Sequence, residues 1–320
     1  MKRASMSSIL TSDLLARIRA TGARRLSLQF PEGLKRQAFP VARALRAEGY
    51  DVIISGDPCY GACDLAEDTL AFADVLVHFG HAPVEDRDGV IYEYVRYDFD
   101  PAVVEAVIPL LRETEVGLVT TIQHAHLIDD IAGVLESHGI TAVIRDGAPR
   151  APFRGQVLGC SFEAAKRTGA REVLFVGTGV FHPIGIRLAT GARVVAFDPV
   201  TGTAGEVDAD ALLRRRFAQI EKARDAASTG IILSTKTGQA RREEARRLLG
   251  LREGAFCITL REVSPDALLN LGFGCYVNTA CPRLAYDDQV RFPVPVLSPP
   301  EYEIVCGVRD WDDYQIDEIR

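Results

Sequence analysis

The sequence predicts an α/β protein of three similar units, each a small parallel β-sheet with flanking helices, set around a pseudo-threefold axis. Three observations carry this. Short β-branched runs alternate with helical stretches, one order of parts recurs about every hundred residues, and each recurrence holds a cysteine at a matching place.

The strands are legible as RRLSLQF, DVIISG, VGLVTTI, EVLFVG, ARVVAF and GIILST. Helix starts are marked by Thr11-Ser12-Asp13 ahead of an apolar-periodic run and by Ser264-Pro265-Asp266 ahead of ALLNL. In each repeat the first strand ends in a polar turn that opens a helix: Gln29 to Gly33, Thr121 to His124, and Ser234 to Gln239. A cysteine behind a small residue follows, as Ala62-Cys63, Gly159-Cys160 and Ala280-Cys281. Seventeen residues beyond each cysteine a hydrophobic strand has just ended in a small residue, Gly80, Gly177 or Ser298. The matching offsets predict equivalent loops for the three cysteines and units spanning residues 1–100, 101–205 and 206–320.

Length and composition agree with several compact domains. The 320 residues exceed what one core usually organises, and 47% hydrophobic with 25% charged residues is a globular balance. No run is apolar enough to span a membrane, and the charged N-terminus does not read as a secretion signal, so a cytoplasmic protein is expected. The formal net charge of −7 argues against direct nucleic-acid binding and makes a protein the expected macromolecular partner.

Seven cysteines in such a chain point to metal ligation or chemistry more than to disulfides. Loops leaving the carboxyl ends of parallel strands form ligand sites, so three similar units can aim Cys63, Cys160 and Cys281 at one point. Soft thiolates select zinc, copper(I) or iron–sulfur clusters. A structural zinc site closes with four ligands, often in CxxC pairs, and no CxxC occurs here. Three cysteines on an iron–sulfur cluster leave one iron open to a substrate. Free cysteine also serves as a small buried hydrophobe, which is the reading for Cys257 and Cys306. Cys275 reads as core or site wall, and whether Cys59 competes as a ligand stays open.

The stretches FPEGL (30–34), YGACD (60–64), VHFGHAPV (77–84), TTIQ (120–123), GQVLGCSF (155–162) and NTACPRLAYDD (278–288), with the Thr235–Gln239 turn, resemble the archaeal 2-(3-amino-3-carboxypropyl)histidine synthases that begin diphthamide synthesis. The likeness covers essentially the whole chain. It implies a radical S-adenosylmethionine transferase without the CxxxCxxC motif, using a 4Fe-4S cluster at the centre of the three units, held by Cys63, Cys160 and Cys281. Such an enzyme cleaves the bond between the sulfonium and the methionine γ-carbon. It adds the 3-amino-3-carboxypropyl radical to C2 of a histidine on translation elongation factor 2 and releases methylthioadenosine. A homodimer and an electron donor are implied as well.

Candidate contacts to S-adenosylmethionine follow from that implication. The turn Gly177-Thr178-Gly179 offers backbone N–H groups, unless its glycines serve only a tight turn. His182 beside it is a candidate for ligand or product, and Thr235, Gln239, Gln29 and Gln123 face the same centre by the repeat. Arg283 is the candidate for the carboxylate, against the alternative of a fold-stabilising ion pair. His78 and His81 read as structural, and the run Arg241 to Arg247 as a solvated helix face with i,i+4 pairs. Two rivals remain: a quinolinate synthase-like enzyme whose cluster is a Lewis acid, and a noncatalytic cluster-carrying subunit.

Overall fold

The computed structural model describes residues 9–319. Its first unit runs α1 (Ser12–Ala20), β1 (Arg25–Gln29), α2 (Ala38–Ala47), β2 (Asp51–Ile54), β3 (Val75–Phe79) and β4 (Val90–Glu93). The second holds β5 (Glu115–Thr120), α3 (Ile128–Ser137), β6 (Thr141–Val143), α4 (Glu163–Thr168), β7 (Glu172–Val176), α5 (Phe181–Thr190), β8 (Arg193–Asp198) and β9 (Thr203–Glu206). The third holds α6 (Asp210–Arg224), β10 (Thr229–Ser234), α7 (Arg242–Leu249), β11 (Ala255–Leu260), α8 (Pro265–Leu271), β12 (Cys275–Asn278), α9 (Arg283–Tyr286), β13 (Val296–Leu297) and α10 (Pro299–Val305).

The sheets have the orders β2-β1-β3-β4, β6-β5-β7-β8-β9 and β11-β10-β12-β13, so one plan is used three times. All pairs are parallel except β8–β9, an antiparallel hairpin that edges the middle sheet. Central strands β3, β7 and β12 are buried along their whole length, as strands covered by helices on both faces must be. Edge strands β2 and β11 are largely exposed. Cys257 lies on β11 with its side chain exposed, so the expectation of a buried cysteine there was wrong: the hydrophobic run FCITL is an edge strand.

The helix signals are honoured locally. Thr11 caps α1 by accepting from the Leu14 amide at 3.0 Å, and Ser264 caps α8 by accepting from the Ala267 amide at 3.2 Å. Each polar turn after β1, β5 and β10 opens through a short 3₁₀ segment, Glu32–Gln37, Ala125–Leu127 and Thr237–Gln239. The charge run behaves differently from the expectation. Its pairs are i,i+3, Glu243–Arg246 and Glu244–Arg247, and Arg241 is no solvated residue: it grips Asp317 at 2.7 Å with both groups largely buried.

That contact fixes the C-terminal tail. Ile316 packs into the apolar core of the second unit, and the Ile319 amide donates to the Cys160 carbonyl at 2.8 Å. Arg216 of α6 is completely buried, pairing with Glu301 through both Nε and Nη2 (2.8 and 2.6 Å) and donating to the carbonyls of Ala285 and Val296. It ties α6 to α9, β13 and α10. Among the described residues no helix is long and apolar enough to cross a membrane.

The predicted equivalence of the three cysteine loops needs correcting. Cys63 lies between β2 and β3, and Cys160 between β6 and β7, but Cys281 comes one strand later, between β12 and β13. The seventeen-residue offset therefore links Cys63 and Cys160 to the third strand of their sheets and Cys281 to the fourth. The loops nevertheless leave the same edge, because in a parallel sheet every carboxyl end points the same way.

Candidate metal centre

The Cys63 loop is pinned from two units. At the end of β1, Gln29 donates from Nε2 to the Asp64 carbonyl at 2.7 Å and accepts from the Ala66 amide at 3.2 Å. From the third unit, Lys236 forms ion pairs of 2.8 Å with buried Asp64 and with Glu262. Gln239 donates to the Cys63 sulfur at 3.3 Å. Gly238 lies so close that a β-carbon there would sit 2.5 Å from Cys63 Cα. A glycine is required by this approach of two backbones.

Cys160 is held through its carbonyl by the tail, and Gly159 before it is covered by Phe181 and by the Arg283 stem, 2.8 and 3.4 Å from the position of an added β-carbon. Asn278 shapes the third loop, donating to the Cys281 carbonyl at 2.8 Å and accepting from the Ala280 amide at 3.0 Å. Arg241 adds a bond to the Thr279 carbonyl at 2.8 Å.

The three thiols feel one another. Burial, then the charges of Cys63 and Cys160, push the Cys281 thiol up to about 12. Cys160 is pushed up to about 11 by burial, with Arg150 opposing and Cys63 adding, and Cys63 is raised by burial against the Gln239 bond and Arg150. Thiols in such surroundings become thiolates only when a cation replaces the proton. Among the described residues, the His/Cys/Asp/Glu group with ligand atoms all within 4.8 Å of one another is Cys59, His78 and His81, and the triad does not meet that spacing. One tetrahedral ion with bonds near 2.3 Å needs sulfurs about 3.8 Å apart, so the triad suits a larger polynuclear group.

Beside the triad lies a cavity of about 1350 Å³ lined by Gln123, Thr178, Gly179, His182, Arg215 and Arg283, among others. The thiols are not on its wall; Phe181 and Arg283, which are, pack on the Cys160 loop. His182 stacks on Phe175 with centroids 5.8 Å apart, and burial, then the Arg283 charge, lowers it to about 4, so it is a neutral imidazole. Arg283 pairs with Asp287 (2.7 Å) and lies over the Phe181 ring. Gly177 is not a free donor: its amide bonds the Phe197 carbonyl at 2.9 Å, and its missing side chain makes room for the Phe175 ring. Thr235 is exposed, its amide bonds the Leu260 carbonyl, and it does not line the cavity.

Gln29 faces the Cys63 loop as described, so its role is to position that loop. Sequence reasoning missed Arg150, whose charge reaches both Cys63 and Cys160, and whose Nε is buried without a hydrogen-bond partner. Its place ahead of GQVLGC gives no periodic signal. Lys236 stood inside the singled-out turn, but its pairing with Asp64 of another unit is invisible along the chain.

Three α/β units each bring one thiol near enough to feel the charge of the others or of Arg150, beside a large cavity, and this defines an α/β protein with a candidate thiol-ligated centre. Comparison with known proteins narrows it. A family model described as "Putative diphthamide synthesis protein" matches residues 30–315. The 2-(3-amino-3-carboxypropyl)histidine synthase of Pyrococcus horikoshii is 37% identical over 96% of this chain and 92% of its own, and that of Methanocaldococcus jannaschii 24% identical over 92% and 88%. The crystal structure of Dph2 from Pyrococcus horikoshii with a 4Fe-4S cluster superposes with a TM-score of 0.89 at 36% identity, covering 98% of this chain and 94% of that one. This chain belongs to the diphthamide synthesis protein family.

Proposed function

We propose that this chain carries out the first step of diphthamide synthesis. It transfers the 3-amino-3-carboxypropyl group of S-adenosylmethionine to C2 of a histidine imidazole on translation elongation factor 2, with release of methylthioadenosine. The observation that carries this is the gathering of Cys63, Cys160 and Cys281 from three units beside a cavity of about 1350 Å³, in a chain of this family.

Cys63, Cys160 and Cys281 would hold a 4Fe-4S cluster, and the residues fit one. The donors are three soft thiols, at least one pair of them farther apart than the 4.8 Å within which a compact ligand group lies, and the unpartnered Arg150 Nε is suited to an anionic group. When bound, the cluster supplies the electron that breaks the sulfonium–γ-carbon bond.

The chain's own groups do the holding. The cavity exceeds the roughly 300–1,000 Å³ typical of small-molecule pockets, which leaves room for S-adenosylmethionine and an entering histidine side chain. Thr178 and Gly179 offer polar backbone at its wall, and neutral His182 can donate or accept without adding charge beside the sulfonium. Arg283 is half-exposed and can exchange Asp287 for the methionine carboxylate, a bidentate partner of the same geometry. Gln239, Gln29 and Gly238 keep the Cys63 sulfur in place. An electron donor and a homodimer complete this reading, which places the enzyme in the cytoplasm with its protein substrate, in three units divided near residues 100 and 205.

The test is anaerobic iron and sulfide analysis, then incubation with dithionite and S-adenosylmethionine and chromatography of the nucleosides. About four irons per chain with methylthioadenosine as product is expected, consistent with a cluster of this type. Cys160→Ala should keep its fold and lose iron and turnover together. Full turnover in that variant would overturn the assignment, and a cluster that leaves S-adenosylmethionine intact would favour the Lewis-acid rival.

A further inference from the structure

Behind the Cys63 loop, on the first unit alone, stands a second ligand set. Cys59 is buried at 1% exposure and His78 at 0%, His81 is partly buried, and one ligand atom from each lies within 4.8 Å of the other two. We propose that Cys59, His78 and His81 form a mononuclear site for a zinc-like divalent cation, separate from the thiol triad.

Spacing is the first support. His78 Nε2 and His81 Nδ1 are 3.1 Å apart. Two imidazole nitrogens bound to one tetrahedral zinc at about 2.0–2.1 Å stand roughly 3.3–3.4 Å apart, so the pair is already set for one ion.

Tautomer is the second. Gln29 Nε2 donates to the Asp64 carbonyl, which fixes the amide with Oε1 toward the Ala66 amide and His78 Nδ1, the latter at 2.8 Å. Oε1 is only an acceptor, so His78 carries its proton on Nδ1 and turns the bare Nε2 lone pair toward His81 and Cys59. A ligand histidine whose far nitrogen donates to a carbonyl oxygen is the usual orientation around a bound metal.

The third support is chemical class. Two imidazoles and a thiol form a borderline-soft set that suits zinc over calcium or magnesium, and its three ligands leave the fourth position to water from the partly exposed His81 side. Without metal, the Cys59 sulfhydryl has a weak contact to the Gly61 carbonyl at 3.9 Å. Binding breaks the Cys59 S–H bond and forms a metal–sulfur bond. His81 moves its proton from Nδ1 to Nε2, so one proton is released per ion. The ion would clip the loop that carries Cys63 to the end of β3.

The experiment uses anaerobically reconstituted protein with its cluster, incubated with one equivalent of zinc, desalted, and analysed for zinc and iron together. One zinc per chain beyond the iron is expected. Cys59→Ser, Cys59→Ala and His81→Asn each remove a ligand and should lower zinc retention by more than the roughly 10–100-fold that loss of an outer partner costs, with iron unchanged, and melting curves check that the variants fold. Cobalt in place of zinc should show a thiolate-to-cobalt charge-transfer band that disappears in Cys59→Ala. Cys160→Ala should lose iron and keep zinc, which separates this site from the cluster assignment. Zinc that is absent, that displaces iron, or that binds equally to the Cys59 variants overturns the proposal.

Discussion

Gly238→Ala probes how closely the first and third units must meet at Cys63. The added β-carbon would lie 2.5 Å from Cys63 Cα, 2.8 Å from its Cβ and 3.0 Å from its carbonyl oxygen. Carbon atoms in contact prefer about 3.5–4.0 Å, so the turn and the loop must separate by roughly 1 Å. The obstacle is mostly backbone and cannot rotate aside. The Lys236–Asp64 pair and the Gln239–Cys63 bond flank it and resist the shift. Overpacking of this kind costs about 1–3 kcal/mol, and a misplacement of about 1 Å can cost about a hundredfold in rate. The variant should melt earlier, hold less iron after reconstitution, and cleave S-adenosylmethionine about 10–100-fold more slowly. Gly133→Ala, on α3 with nothing within 4 Å of the new atom, is the control and should change neither iron nor rate. Wild-type iron content and turnover in Gly238→Ala would refute the reasoning, because the two backbones would then have slack that the geometry denies.

Arg216→Met leaves Glu301 buried without its charge partner and should cost about 3–5 kcal/mol in denaturant unfolding, whereas Arg216→Met with Glu301→Leu should recover only part of that loss, because the Ser298 amide and Tyr314 hydroxyl from which Glu301 also accepts stay unpaired. His182 has its pKa lowered to about 4, so below about pH 6.5 the unfolded chain takes a proton that the fold refuses. Stability should therefore fall as pH drops from about 6.5 toward 4, by at most about 1.4 kcal/mol per pH unit from this group and less where cavity water screens it. His182→Gln should flatten that slope in thermal melts across the same range. Because all three triad thiols are raised by burial, each must give up a proton on binding, and reconstituted protein should lose iron progressively as pH falls, read by absorbance against pH.

The repeat was legible because strand–turn–helix order is written in local pattern: apolar runs for the central strands, and polar turns such as Gln29–Gly33 that open helices. The cysteines were legible as a set for the same reason. Their exact topological places were not, since the seventeen-residue offset equates Cys281 with the others when it follows a different strand. Cys257 shows the matching limit, because FCITL has the composition of an inner strand and only the sheet order makes it an edge. Gly177 was chosen for its backbone N–H, which the neighbouring strand had already taken.

By itself the sequence determined the three α/β units, the three repeat cysteines as a candidate ligand set and the family resemblance, because periodicity and motif spacing are properties of the chain read along its length. Tertiary structure alone decided which groups surround those cysteines: Arg150 with its unpartnered Nε, Lys236 bound to Asp64 of another unit, the tail holding Cys160, and Cys59 beside His78 and His81. Each of these joins residues distant in sequence, or turns on the orientation of an amide or a ring. Charge and hydrogen-bond complementarity of that kind is fixed by packing and has no period to read.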